Sequence, residues 1–402
     1  MQPIPLTLDS DAPRRFALWQ LGFRPFFLAA ALWAVVAVAL WLVLYPGWLR
    51  MPLSGLPPMV WHAHEMIFGY TLAVAAGFLL TAVRNWTGVQ TWQGWRLGLL
   101  LGLWALARVL LLLDSGSVLL FTAFVDVAFL GLLIVAVTAP VLRVRQWKQI
   151  GIVAKLALLM AANVLFYLGA AGILADGVNW GLYSGLYFLL GLVFVMGRRV
   201  IPFFIERGVD AEGVELKNWL WLDIGSLAVF LLFWLFDVFF PEWRLTIALL
   251  AGILLVLHGL RLWGWHHPGI WRKPLLWVLY LAYAFLTLGF GLKLLSQLAG
   301  LSPFLALHAF AYGGIGLVTI GMMARVSLGH TGRNVFDPPG ILGPIFALLL
   351  AGAFVRVVLP MLLSQYALLI LISQALWILG FALFLGYYLP IWLRPRVDGR
   401  PG

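Results

Sequence analysis

Cysteine is absent from the 402-residue chain. Its absence excludes disulfides, thiolate metal sites, iron–sulfur clusters and thioether-linked haem, and it gives no information about redox compartment. Charge is also scarce, at 10% of residues, where a soluble domain carries about 25%. Acid is the scarcer sign: 15 Asp and Glu face 26 Lys and Arg, for a net charge of +11. Apolar side chains fill the space left by these shortages, at 63% of the chain. So apolar a chain cannot cover itself with polar surface, which makes lipid the solvent for most of it.

About 20 mainly apolar residues are needed to cross the hydrocarbon core as a helix. Runs of that kind lie at Phe26–Tyr45, Val60–Val83, Trp95–Leu113, Val118–Pro140, Ile150–Leu174 and Asn179–Met196. Six more follow at Leu216–Phe240, Trp243–Trp263, Pro274–Leu298, Leu301–Ala324, Ile341–Leu363 and Ser364–Trp392. The expected fold class is all-α: a polytopic membrane bundle of about twelve helices, forming one domain over residues 26–393. Short segments 1–25 and 394–402 flank it. Several spans end on Trp or Tyr, as an aromatic belt would. The first span is too long for a cleaved signal peptide. Thr81-Ala-Val-Arg-Asn-Trp, Met196-Gly-Arg-Arg-Val-Ile-Pro and Met323-Ala-Arg-Val-Ser-Leu recur about one four-helix unit apart. That spacing suits a threefold pseudo-repeat.

Basic residues set the expected orientation. With the N-terminus in the cytoplasm, 20 Lys and Arg fall in inside loops or flanks, and only Arg50 and Arg244 fall outside. This alternation is a strong positive-inside pattern, with both termini cytoplasmic. The excess positive charge then faces anionic lipid headgroups, and no nucleic acid is expected as a partner.

The other four basic residues, Arg108, Lys155, Lys293 and Arg356, fall inside spans, where ionisable groups are expensive and mark function by default. Arg108, Lys293 and Arg356 occupy the outer third, with Asp114 and Asp126 nearby. Lys155 lies close to an inner end and is expected to snorkel. His62, His64 and Glu65 open the second span at the outer rim, and His308 lies two turns into the tenth. His258, His266, His267 and His330 are expected to be solvated or interfacial. Residues two apart on a helix differ by about 200° in direction, so His62 and His64 face opposite ways. A regular helix puts His62 on one face with Glu65, Met66, Gly69, Ala73 and Gly77, and His308 with Ala311, Tyr312 and Ile315.

Two imidazoles from different helices at one depth could clamp a haem iron from both faces. Arg108, Lys293 and Arg356 would meet its propionates. Small residues along both helices would let a flat macrocycle approach, although they serve close helix packing equally well. Without a cofactor, the three cations would pair with the carboxylates. A multi-pass transporter or channel with an outer-leaflet polar site therefore stands as the alternative.

Several blocks resemble the NnrS family: Gly22-Phe-Arg-Pro-Phe-Phe, Trp61-His-Ala-His-Glu-Met-Ile-Phe-Gly-Tyr, Gly197-Arg-Arg-Val-Ile-Pro-Phe-Phe-Ile-Glu-Arg-Gly, Leu307-His-Ala-Phe-Ala-Tyr-Gly-Gly-Ile-Gly and Gly321-Met-Met-Ala-Arg-Val-Ser-Leu-Gly-His-Thr-Gly-Arg. The resemblance implies a bacterial inner-membrane protein of nitric oxide metabolism, denitrification or nitrosative-stress defence, containing haem and copper. More distantly, His62-x-x-x-Met66-x-Phe68 and His308 through Gly321-Met322 resemble helices 2 and 10 of the heme–copper oxidase catalytic subunit. That likeness implies that His62 and His308 are the axial pair of a low-spin haem. The companion histidine of the high-spin haem falls on Ala306, and the copper-ligand histidine of helix 6 falls near Tyr183 or Ser184, so the usual binuclear centre is dismantled. With no cysteine, the haem would be b-type. His64 with Glu65, or Met59, would be the site for copper. Nitric oxide or a related small ligand, and a quinol or other membrane electron donor, complete the expected partners.

Overall fold

The computed structural model describes residues 16–113 and 116–400, so Asp114, Arg14 and Arg15 lie outside the described residues. Among the described residues, twelve helices of 16 residues or more make up the bundle. They are α1 Phe23–Leu44, α2 Pro58–Thr87, α3 Trp95–Leu110, α4 Gly116–Arg143, α5 Ile150–Ala170 and α6 Gly177–Gly208. The second half holds α7 Leu220–Phe239, α8 Arg244–Trp265, α9 Pro274–Ala299, α10 Pro303–His330, α11 Leu342–Val357 and α12 Tyr366–Leu393. Eleven of these, with α11 counted on through the following turn to Met361, are long and apolar enough to span a membrane. The other, α3, has 16 residues, or about 24 Å at the usual helical rise. It ends at Leu110, earlier than the apolar run suggests. With no water in hydrocarbon to bond the backbone, helices are the form that satisfies every N–H and C=O within its own segment.

Local chemistry sets many of the ends. Pro58, Pro274 and Pro303 open α2, α9 and α10 at the position where a missing N–H does no harm. Gly88 and Gly300, both at φ +69°, close α2 and α9 in the left-handed region that a side chain would disfavour. The last two spans, expected to meet at Leu363, are parted between Val357 and Tyr366, with a short turn at Leu359–Met361. α6 runs on through Pro202 to Gly208, beyond the expected end at Met196. Most of that supposed connecting loop is therefore helix.

α2 and α10 are the most buried spans, at 83% and 72%, followed by α6 and α9 at 61% each. The three spans that carry the recurring inner-end motif thus sit together at the centre. Their lipid-facing surroundings are recognisable from exposed aliphatic and aromatic side chains such as Leu120, Phe121 and Phe124 on α4, and Leu245, Leu249 and Val256 on α8. α2 and α10 also share an irregularity. Each passes through a π-helical stretch, Glu65–Thr71 in α2 and Ala309–Gly316 in α10. Such stretches loosen the backbone ladder and recur at functional sites. The Gly69 carbonyl in the first accepts from the Trp104 indole at 3.0 Å. Tyr70, within the first stretch, and Thr319, just beyond the second, join the two helices through their hydroxyls at 2.6 Å. At the other end of the bundle, the Ala17 N–H donates to the Leu393 carbonyl at 2.8 Å, and buried Arg24 donates to the carbonyls of Ile391, Trp392 and Arg394. The start of α1 and the end of α12 therefore share one face of the molecule.

Candidate functional site

The expected outer ionisable residues separate into three clusters. The first joins α2, α10 and α11. His308 Nδ1 donates to the Phe304 carbonyl at 2.7 Å, one helical turn back. Its Nε2 lies 2.9 Å from a guanidinium nitrogen of Arg356. A guanidinium can only donate, so His308 Nε2 holds a lone pair and the ring is neutral. His62 stacks on Trp41 with centroids 4.5 Å apart and planes 8° from parallel. It lies within electrostatic range of His308 and Arg356. His62 Nδ1 and one terminal nitrogen of Arg356 are buried without hydrogen-bond partners. The other neighbours of Arg356 are the phenols of Tyr45, Tyr312 and Tyr366, the last with its ring centroid 5.6 Å away. No described carboxylate pairs with Arg356.

The second cluster holds His64 and Glu65. Arg108 lies 2.6 Å from Asp126 Oδ1 and 3.2 Å from Glu65 Oε1. His64 places Nδ1 3.0 Å from Glu65 Oε1 and Nε2 3.0 Å from the Asn163 side-chain oxygen. The Asn163 amide nitrogen and the Tyr167 hydroxyl donate to Asp126 Oδ2 at 2.9 and 3.1 Å. Both nitrogens of His64 face acceptors and so act as donors. The two carboxylates thus face one guanidinium and one imidazole of the chain. The third cluster is smaller: Lys293 Nζ lies 2.6 Å from Asp237 Oδ1, and the Tyr187 hydroxyl donates to Asp237 Oδ2 at 2.5 Å.

Helical geometry correctly separates His62 from His64. It fails for Glu65, which points to His64 and Arg108 while His62 turns to Trp41. The π-helical stretch begins at Glu65 and breaks the regular spacing. The small face of α2 is covered by rings of the chain itself: a methyl at Gly69 would meet the Trp33 indole, and one at Gly77 would meet Phe26 and Phe27. Phe285, Leu286 and Trp377 likewise fill the space over Gly313, Gly314 and Gly316.

The donor sets can be tested against the two expected metals. His62, His308 and Arg356 suit haem: His308 Nδ1 is held by a backbone carbonyl, its Nε2 keeps a lone pair that the Arg356 guanidinium alone meets, and that guanidinium has no described carboxylate to neutralise it. His64 and Glu65 do not suit copper. Both nitrogens of His64 are hydrogen-bonded, Glu65 is paired with Arg108, and no described group of three His, Asp or Glu is placed to hold a metal ion. Met59 is exposed. His266 and His267 each accept a hydrogen bond within their own loop, from the Trp271 indole at 3.4 Å and the Gly269 N–H at 3.1 Å.

One group was missed by the sequence reading. His258, expected at an interface, is buried and bonded to the Tyr283 hydroxyl at 2.6 Å. That hydroxyl also accepts from Arg261, which binds Asp223, which in turn pairs with Arg198. The available signal was Asp223, an acid inside an apolar span, with Arg198 and Arg261 near the matching ends of α6 and α8.

These features define a multi-pass helical membrane protein that carries, among the described residues, three carboxylate-paired basic clusters and the Arg356 cluster, which has no carboxylate. A family model described as NnrS protein matches residues 17–396. The chain belongs to the NnrS family. No curated protein matches it.

Proposed function

We propose that this protein binds a b-type haem through His62 and His308 and acts in nitric oxide metabolism in the bacterial inner membrane, with both termini cytoplasmic. The observation that carries the reading is His308: its Nδ1–H is held by Phe304, and its Nε2 lone pair is directed into a cluster that also contains His62. Arg356 is then the residue to receive a propionate, because Arg108 and Lys293 already have carboxylates of the chain as partners. Charge-assisted hydrogen bonds of that kind are the stronger sort. Haem held there would supply a redox-active iron. Arg356 is also hydrogen-bonded to the His308 imidazole, so the residue that would meet a propionate lies beside the residue that would hold the iron. The family resemblance supports the nitric oxide role, and the shared face of the two chain ends agrees with the positive-inside pattern.

The transporter reading draws on the same guanidinium, which could receive a small anion. Haem content of the purified protein separates the two. Alanine variants of His62, His308 and His64 are to be scored by haem per protein and by the low-spin signal in electron paramagnetic resonance. Loss is expected for His62→Ala and His308→Ala, with retention for His64→Ala. Haem lost from His64→Ala but kept by His62→Ala would move the ligand to the other face of α2.

A further inference from the structure

A cavity of about 320 Å³ lies between α6, α7 and α8, toward the end of the bundle opposite His62 and His308. Its inner wall carries Arg198, Asp223, Ser226, His258 and Arg261. Its outer wall is made by Leu220, Ile224 and Leu231, which are exposed where lipid would surround the protein. A molecule already dissolved in the bilayer could enter here without crossing water. The volume falls at the lower end of the range for small-molecule sites, about 300–1,000 Å³.

Hydrogen bonding decides what the inner wall offers. The Tyr283 hydroxyl accepts from Arg261 at 2.9 Å and lies 2.6 Å from His258 Nδ1. His258 Nδ1 is the one acceptor that the described contacts offer to the phenol proton, and a proton donated there puts the hydrogen of the neutral imidazole on Nε2. His258 Nε2 is buried and has no partner, in a residue that is 1% exposed. The ring cannot swing away, because it is stacked on Phe194 at 4.4 Å and on Phe290 at 5.3 Å. A rigid N–H donor in a wall otherwise satisfied within itself calls for an acceptor on the ligand, since a buried donor left unpaired is costly.

We propose that this cavity seats the ring of a membrane quinone, with a ring carbonyl accepting from His258 Nε2 and the isoprenoid tail leaving past Leu220 and Ile224. A neutral acceptor fits better than a lipid phosphate. Arg198 and Arg261 are both already engaged by Asp223, and the unpaired group is an uncharged N–H. The inference does not depend on the haem reading.

The test is titration of the detergent-solubilised full-length protein with decylubiquinone, followed by quenching of Trp fluorescence, with short-chain phosphatidylglycerol as competitor. Saturable binding is expected, and phosphatidylglycerol should not displace it. His258→Phe should weaken it by up to about tenfold, the scale of one hydrogen bond. Ile224→Trp fills the entrance from the lipid side without touching the polar wall. It should abolish binding while leaving haem content and thermal stability unchanged. Absence of saturable binding, binding indifferent to Ile224→Trp, or displacement by phosphatidylglycerol would each overturn the proposal; the last would make this a lipid-headgroup site. The haem spectrum, recorded on the same samples, keeps failure here distinct from failure of the axial-ligand assignment.

Discussion

At the scale of single residues, charge pairing governs the interior. Arg108, Asp126 and Glu65 are almost wholly buried, so removing one partner strands the others. Arg108→Leu should destabilise the protein by about 3–5 kcal/mol, read as thermal unfolding in detergent. Lys293 and Asp237 provide the matching cycle. Lys293→Met alone leaves a buried carboxylate at Asp237, which is 3% exposed. The double variant Lys293→Met, Asp237→Leu should recover much of that loss, since replacing both members of a buried pair is often close to neutral. A double variant no better than the single one would show that the pair is not the stabilising unit. The charged residues themselves could be read from the sequence, and their partners could not. Arg108 meets Glu65 from another helix, and Lys293 meets Asp237 across a full helical hairpin.

Helix contacts are decided by glycine in some places and not in others. At the α5–α6 crossing, Gly169, Gly177 and Gly181 lie against backbone, not side chains. A methyl at Gly181 would come within 2.5 Å of the Phe166 nitrogen and 2.6 Å of the Ala162 oxygen. Backbone cannot step aside as a flexible side chain can, and small residues at such crossings are what let membrane helices approach. Gly181→Leu should therefore abolish folded, monodisperse protein in size-exclusion chromatography. Gly102→Leu on α3, where nothing lies within 4 Å, should behave as the parent does. Equal yields of the two would contradict the packing described. Both glycines sit in apolar runs of similar appearance, which is why the sequence does not distinguish them. The π-helical stretches were hidden for a related reason: they arise from how α2 and α10 meet their neighbours, and no periodicity in the sequence announces them. They are also where regular-helix geometry misplaced Glu65.

For the whole molecule, topology is the property to test. Alkaline phosphatase fused after Arg50 should be active, and fused after Lys148 it should be inactive; the reverse would invert the bundle. The sequence by itself determined the class of protein, the number and order of the long helices and the expected sidedness. Those follow from transfer of side chains between water and lipid, which depends on composition and run length alone. It also singled out His62, His308 and Arg356, because polar groups stand out against hydrocarbon. Only the tertiary structure decided that Arg108 and Lys293 are paired from within, that Arg356 has no carboxylate among the described residues, and that His258 is buried beside a cavity walled by Leu220 and Ile224. The physical reason is that helices apolar on every side carry no amphipathic stripe to say which face turns inward. The choice of neighbours is left to close packing and to hydrogen bonds between residues far apart in the chain.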